Sequence, residues 1–214
     1  MELNDIVPEY RSKNIIVRKI FFGRLNTAVD LGRDALSATD ASVLDLGCGE
    51  GVLIKKIEET HPNIKVFGSD IEPNIELLKK SVKAEISVAD INDLPYPDKQ
   101  FNAIFCLDVL EHIRDLQKPA IEIARILKDE GVLIISEPTE SAIYKFGRWI
   151  LKGTFSAIEG PAASPHWHNA KTIENFMTNH GFELDIKRKI PNLPFFSLFH
   201  IMRFKKNRQG DGIG

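Results

Sequence analysis

The apolar run Val43-Leu44-Asp45-Leu46 empties into three alternate glycines, Gly47, Gly49 and Gly51, and a helical pattern from Val52 to Glu59 follows at once. This is the signature of a strand, a tight turn and a helix N-terminus. Glycines at those positions let the backbone turn sharply and let a ligand lie against it with no Cβ in the way. The first N–H groups of the new helix face that ligand, backed by the positive end of the helix dipole. A second short strand pattern, Val66-Phe67-Gly68-Ser69-Asp70, ends in an acid. That acid falls about twenty residues after the loop, the interval at which a nucleotide fold places its ribose-binding carboxylate.

The loop also limits which ligand it can take. A dinucleotide fingerprint needs glycine or alanine three positions after its second glycine, and that position is Val52. A P-loop fails because no Gly-Lys-Ser/Thr follows. Asp45, an anion in the loop region, would repel a pyrophosphate but suits a ligand carrying an ammonium and a sulfonium.

With these residues the chain resembles the class I S-adenosylmethionine-dependent methyltransferases, of the small-molecule, methyltransferase-domain-11-like kind. Three further stretches carry the likeness: Val88-Ala89-Asp90-Ile91, Phe101 to His112, and Leu127 to Ile135. Together they span roughly residues 41–138, with a fainter echo at Gly181-Phe182. The resemblance implies that Asp45, Gly47, Cys48 and Gly49 form the cofactor loop, and that Asp70 and Ile71 take the ribose. It places Asp90 and Ile91 at the adenine and Leu107 at the end of the fourth strand. It implies S-adenosylmethionine as cofactor and S-adenosylhomocysteine as product.

Strand and helix patterns alternate from Ser42 to Ile135, which predicts an α/β fold with a Rossmann-like, doubly wound sheet. Strands are expected at 43–46, 65–69, 86–88, 103–107 and 132–136, with helices at 51–59, 73–80 and 119–127. The alternation after Gly181 and the apolar stretch Phe195 to Phe204 suit a closing hairpin. The resemblance then makes this a mostly parallel seven-stranded sheet with an antiparallel last strand. Ser12 to Leu36 is amphipathic through Ile16, Ile20, Leu25 and Val29, and is expected to act as a lid helix.

One domain is expected over residues 1–214. A helical lid occupies 1–40, a cofactor core 41–138, a substrate-side insertion 139–170, and a closing helix and hairpin 171–208. The 214 residues, 43% hydrophobic, suffice for one buried core. A net charge of −2 favours neither nucleic acid nor an acidic partner. Cys48 and Cys106 have no metal or disulfide spacing, and no apolar run approaches the ~18 residues of a membrane span. A cytoplasmic location is expected. Aromatic residues beside Lys145, Arg148 and Lys152 allow weak contact with a membrane surface.

Methyl transfer draws its electrophile from the cofactor, so the protein must aim the acceptor and, for a hydroxyl, take a proton. His112, His166 and His168 are the expected bases, with Asp108 orienting one of them. The acceptor is expected to be small or lipid-like. Asp108-x-x-Glu111-His112 with a later histidine is similar to the metal site of small-RNA 2′-O-methyltransferases, which leaves an RNA methyltransferase as one alternative and a non-catalytic cofactor-binding module as another. No metal is expected, because the first ligand position carries Asp108 in place of glutamate.

Overall fold

β1 (Ser42–Leu46) is buried at every position, so both of its faces must be covered and it belongs in the middle of a sheet. The computed structural model describes residues 14–71, 78–139, 166–193 and 197–207. It places β1 between β2 (Lys65–Asp70) and β4 (Phe101–Leu107), parallel to both. β3 (Glu85–Val88) pairs with β2, and β5 (Leu127–Pro138) with β4, again in parallel. β7 (Phe199–Lys206) runs antiparallel between β5 and β6 (Phe182–Ile190). The order is β3-β2-β1-β4-β5-β7-β6. This is the expected doubly wound seven-stranded sheet with an antiparallel last strand.

Alternation along the central strands builds a core on each face. Leu44, Leu46, Ile104, Cys106, Leu133 and Ile135 join Ala120 and Ile123 of α4 (Gln117–Ile126) and Ile173 and Met177 of α5 (Ala170–Asn179). On the other face Val43, Ala103, Phe105 and Ile134 meet Leu53, Ile54 and Ile57 of α3 (Val52–Thr60), with Leu25, Ala28 and Val29 of α1 (Ile15–Leu31). α5 starts at a cap, Asn169, whose side chain accepts from the backbone N–H groups of Lys171 and Thr172 at 3.0 and 3.1 Å.

Two expectations shift. The fifth strand, expected at 132–136, already starts at Leu127, where α4 ends. The amphipathic N-terminal segment is two helices, α1 and α2 (Arg33–Leu36), meeting at Gly32, where a Cβ would come within 2.8 Å of the Phe105 ring. The first turns of α1 expose Ile15 and Ile16, whereas its second half is core. The helix expected at 73–80 and the insertion at 139–170 lie mostly outside the described residues.

The basic stretches near the C-terminus are tied internally. Arg203 is buried, donates to Asp34 at 2.6 and 2.8 Å and to the Leu31 carbonyl at 2.7 Å, and pairs with Asp185 at 3.1 Å. Lys205 also reaches Asp185, and Lys187 pairs with Glu174. These bonds fasten β7 to α2 and β6, and β6 to α5.

Candidate active site

The strand order reverses between β1 and β4, and ligands of open α/β sheets bind in the crevice outside the carboxyl ends at such a point. The glycine loop lies there. Gly47, Gly49 and Gly51 all have positive φ (82°, 46° and 70°), a region that side chains with a Cβ rarely adopt. The loop's own N–H groups turn inward: those of Gly47 and Cys48 donate to the Ser69 carbonyl, and that of Gly51 to the Cys48 carbonyl. Gly49 N–H donates to Asp70 Oδ2 at 2.8 Å. Asp70 thus holds the loop in shape, a duty its place in the sequence did not suggest. α3 starts at Gly51 with no side-chain cap.

Asp45 is 4% exposed. Burial, then the charge of Asp70, pushes its pKa up to about 8. A buried carboxyl group in that state lacks a cation. Cys48 lies under the loop, and burial raises its thiol, as it raises that of Cys106, so both stay protonated. Ile71, beyond the end of β2, is an apolar side chain 71% exposed at the crevice rim. Asp90 is exposed and accepts from the Asn92 backbone and side chain at 2.9 and 2.7 Å. Ile91 is mainly core, and Leu107 is half-buried at the end of β4.

Past β4 the chain turns sharply. Asp108 has φ +58° and leads through Val109 into a 3₁₀ turn, Leu110–His112. A Cβ on Gly47 would come within 2.2 Å of Val109 Cγ2, so the loop after β1 and the turn after β4 touch. The Asp108 carboxylate does not orient a histidine, as the sequence led one to expect. It pairs with Arg24 of α1, which is 3% exposed and packs over the Phe21 and Phe199 rings at 5.1 and 4.8 Å. Arg24 was not legible as a site residue. The available signal was a cation four residues from Ile20 and from Ala28, on a face otherwise apolar.

The acid beside His112 is Glu111, whose Oε1 lies 3.9 Å from His112 Nε2. Glu111 is 1% exposed and Glu137, at the end of β5, is 0% exposed. No donor among the described residues reaches Glu111 Oε2 or either Glu137 oxygen. Burial, then the charge of Asp108, pushes the Glu111 pKa up to about 8, and burial, then the charge of Glu111, raises that of Glu137; a shared proton can bond the two groups to each other.

The three histidines divide. His112 and His166 stack edge to face with ring centroids 4.7 Å apart. His168 instead bonds the Arg114 carbonyl at 3.2 Å, which anchors its segment. Glu111, His112 and His166 each offer one ligand atom within 4.8 Å of the others, a set that could hold a metal.

The positive-φ glycine loop and the buried Asp45 carboxyl fit a ligand carrying positive charge and needing close backbone approach. Comparison with known proteins agrees. A methyltransferase-domain family model matches residues 21–186, and the chain belongs to that family, whose cofactor is S-adenosylmethionine. It is 26% identical over 103 residues to the ubiquinone biosynthesis O-methyltransferase of Rickettsia bellii, covering 46% of this chain and 42% of that protein. It is 29% identical over 139 residues to the demethylmenaquinone methyltransferase of Deinococcus radiodurans, covering 58% of each. The chain spans about half the length of the curated relatives it matches. The fold is also that of the N-methyltransferase NodS of Bradyrhizobium japonicum WM9 in complex with S-adenosyl-L-homocysteine, with a TM-score of 0.67, 18% identity, and 97% and 95% of the two chains covered. Among the described residues no helix is long and apolar enough to cross a membrane.

Proposed function

We propose that this protein transfers the methyl group of S-adenosylmethionine to a small, lipid-like acceptor. The observation that carries the reading is the contact of Gly47 with Val109, which sets the cofactor loop directly against the turn bearing His112. The relatives named for ubiquinone and menaquinone biosynthesis support an acceptor of that class. When bound, the cofactor supplies an electrophilic methyl group on a sulfonium sulfur. Asp45 faces its positive charge from the end of β1, Asp70 accepts from the ribose hydroxyls, and Ile71 covers the adenine at the rim with Asp90 nearby. His112, joined by His166, receives the acceptor at the end of β4 and removes its proton when the acceptor is a hydroxyl.

The direct test is calorimetric binding of S-adenosylhomocysteine, followed by methyl transfer from labelled cofactor to a panel of quinol, phenol and amine acceptors. Tight binding with turnover on a lipid-like acceptor is expected. Binding with no turnover on any acceptor would favour a non-catalytic module. Asp70→Ala should weaken binding about tenfold to several hundredfold, since charge-assisted hydrogen bonds are worth about 1.5–3 kcal/mol each. Wild-type affinity in that variant would sink the ribose assignment.

Asp45 gives the binding a pH dependence of definite sign. With its pKa near 8 in the free protein, Asp45 is mostly protonated at neutral pH and must release that proton to pair with a cation. Affinity should therefore rise between about pH 6 and 7.5, the range in which the ligand's amine stays charged. Calorimetry in buffers of different ionisation enthalpy should count a proton released per ligand bound. In the free protein the raised pKa acts on stability in the opposite sense. The Asp45 contribution is complete below the ordinary value of 3.8 and is lost as pH rises through about 8. Asp45→Asn should remove both slopes, and an unchanged pH profile of binding in that variant would exclude Asp45 from the cation site.

A further inference from the structure

Arg24 is 3% exposed on a helix that needs no charge to stay in place, since Leu25, Ala28 and Val29 already seat α1 in the core. Two aromatic rings aim its guanidinium: Phe21 of its own helix at 5.1 Å, and Phe199 at the start of β7 at 4.8 Å. From there it reaches the turn after β4 and donates to Asp108 Oδ2. Taking charges out of water offsets much of their attraction, so a pair of this kind is weak support for the fold as a whole. Its better-attested use is to select one arrangement of the chain.

The arrangement at Asp108 is an uncommon one. The residue sits at φ +58°, in the left-handed region. The other described residues with a Cβ in that region, Asp40 and Lys99, precede β1 and β4, at the end of the sheet opposite the crevice. Aspartate tolerates this conformation better than most side chains, though still at some cost. Two bonds hold it there: its N–H donates to the Ser136 carbonyl at 2.9 Å, and its carboxylate accepts from Arg24. The next residue, Val109, is thereby turned against Gly47. On the β2 side the glycine loop is braced by its bonds to Ser69 and Asp70. On the β4 side Val109 is the wall that Gly47 meets.

We propose that Arg24 is a positioning residue for the cofactor loop, holding Asp108 in the left-handed conformation that seats Val109 against Gly47. Its influence passes from α1 through Asp108 and Val109 to the loop after β1. This role rests on the methyltransferase reading, in which the cofactor lies on that loop.

The test is calorimetric affinity for S-adenosylhomocysteine in the full chain, read beside thermal unfolding. Arg24→Met keeps an apolar stem and removes the charge, and should bind about tenfold more weakly than the parent. Adding Asp108→Gly should restore most of that affinity, because glycine takes φ +58° without help and leaves no unpaired carboxylate. In a Val109→Ala background, Arg24→Met should lower affinity little further, since the wall it positions is gone. A pair that only braced the fold would give additive losses that Asp108→Gly does not relieve, and that result would overturn the role. Parent affinity in Arg24→Met would do the same. Should Arg24→Met fail to fold, Asp108→Ala and Asp108→Gly carry the comparison, since both lose the ion pair and differ in the backbone they allow. The alanine variant should bind about tenfold more weakly than the glycine variant, and equal affinities would overturn the role. Arg203→Met breaks another buried arginine pair, away from the crevice, and should lower thermal stability while leaving affinity unchanged. An equal loss of affinity in both arginine variants would make the effect one of general stability and overturn the role. A parent protein that binds no S-adenosylhomocysteine would remove the cofactor reading and this role together. Binding by the parent with any of the contrary results above would remove the role alone.

Discussion

Replacing His112 by alanine is expected to slow methyl transfer by about 10²–10⁴-fold, the usual contribution of a positioned proton-transfer group. Affinity for S-adenosylhomocysteine should stay close to that of the parent protein. The imidazole stands beyond Val109, at the end of the 3₁₀ turn, and turns toward His166 rather than into the glycine loop. Its removal therefore costs the acceptor side of the crevice and spares the cofactor side. The side chain is partly exposed, so the fold should tolerate its loss. Single-turnover rates with saturating cofactor separate the chemical step from binding. The two ways in which His112 could act predict the same loss and part on a second measurement. A proton acceptor leaves activity unchanged on chelation, whereas a metal ligand makes it collapse and return with added metal. Full activity in His112→Ala and in His166→Ala would mean that proximity alone drives transfer.

Gly47→Val should abolish cofactor binding, for two causes that can be separated. The residue sits at φ +82°, and its new Cβ would come within 2.2 Å of Val109 Cγ2. Backbone strain of this kind costs about 1–3 kcal/mol, and overpacking costs about as much again. The sum corresponds to a loss in affinity of about a hundredfold or more. Gly47→Ala with Val109→Ala should recover part of the affinity lost by Gly47→Ala, because it relieves the collision and leaves the strain. Calorimetry with S-adenosylhomocysteine gives the affinities, and thermal unfolding reports how much of the damage falls on the fold. Normal binding by Gly47→Val would put the cofactor elsewhere.

Local signals carried the fold a long way. The alternation of apolar strand runs with helical patterns placed all five parallel strands, and the apolar stretches after Gly181 placed the closing hairpin. These were legible because a strand buried on both faces has little choice of residue. β5 alone ran well past its expected start, since nothing in Lys128-Asp129-Glu130 looks like a strand. That piece is an irregularity between two paired points, since Phe101 pairs with Leu127 and Ala103 already with Val132.

The site divides along the same line. Gly47, Gly49 and Asp70 were readable because a backbone conformation or a strand end demands a residue type at a fixed interval, and such demands are written along the chain. Arg24 and Glu137 were not readable, nor was which later histidine, His166 or His168, meets His112. Each depends on which segments the sheet order brings together, and no interval in the sequence encodes that. Asp108 shows the difference most clearly. A histidine, His112, follows it four residues on, yet its charge is taken by an arginine of α1. A charge at a strand end is satisfied by whatever the packing brings within reach, and here α1, lying over β5 and β7, brings Arg24. The chain by itself determined the sheet and the cofactor loop through local steric and hydrophobic demands. Only the tertiary structure decided which side chains share the far side of the crevice, because long-range contacts are set by topology.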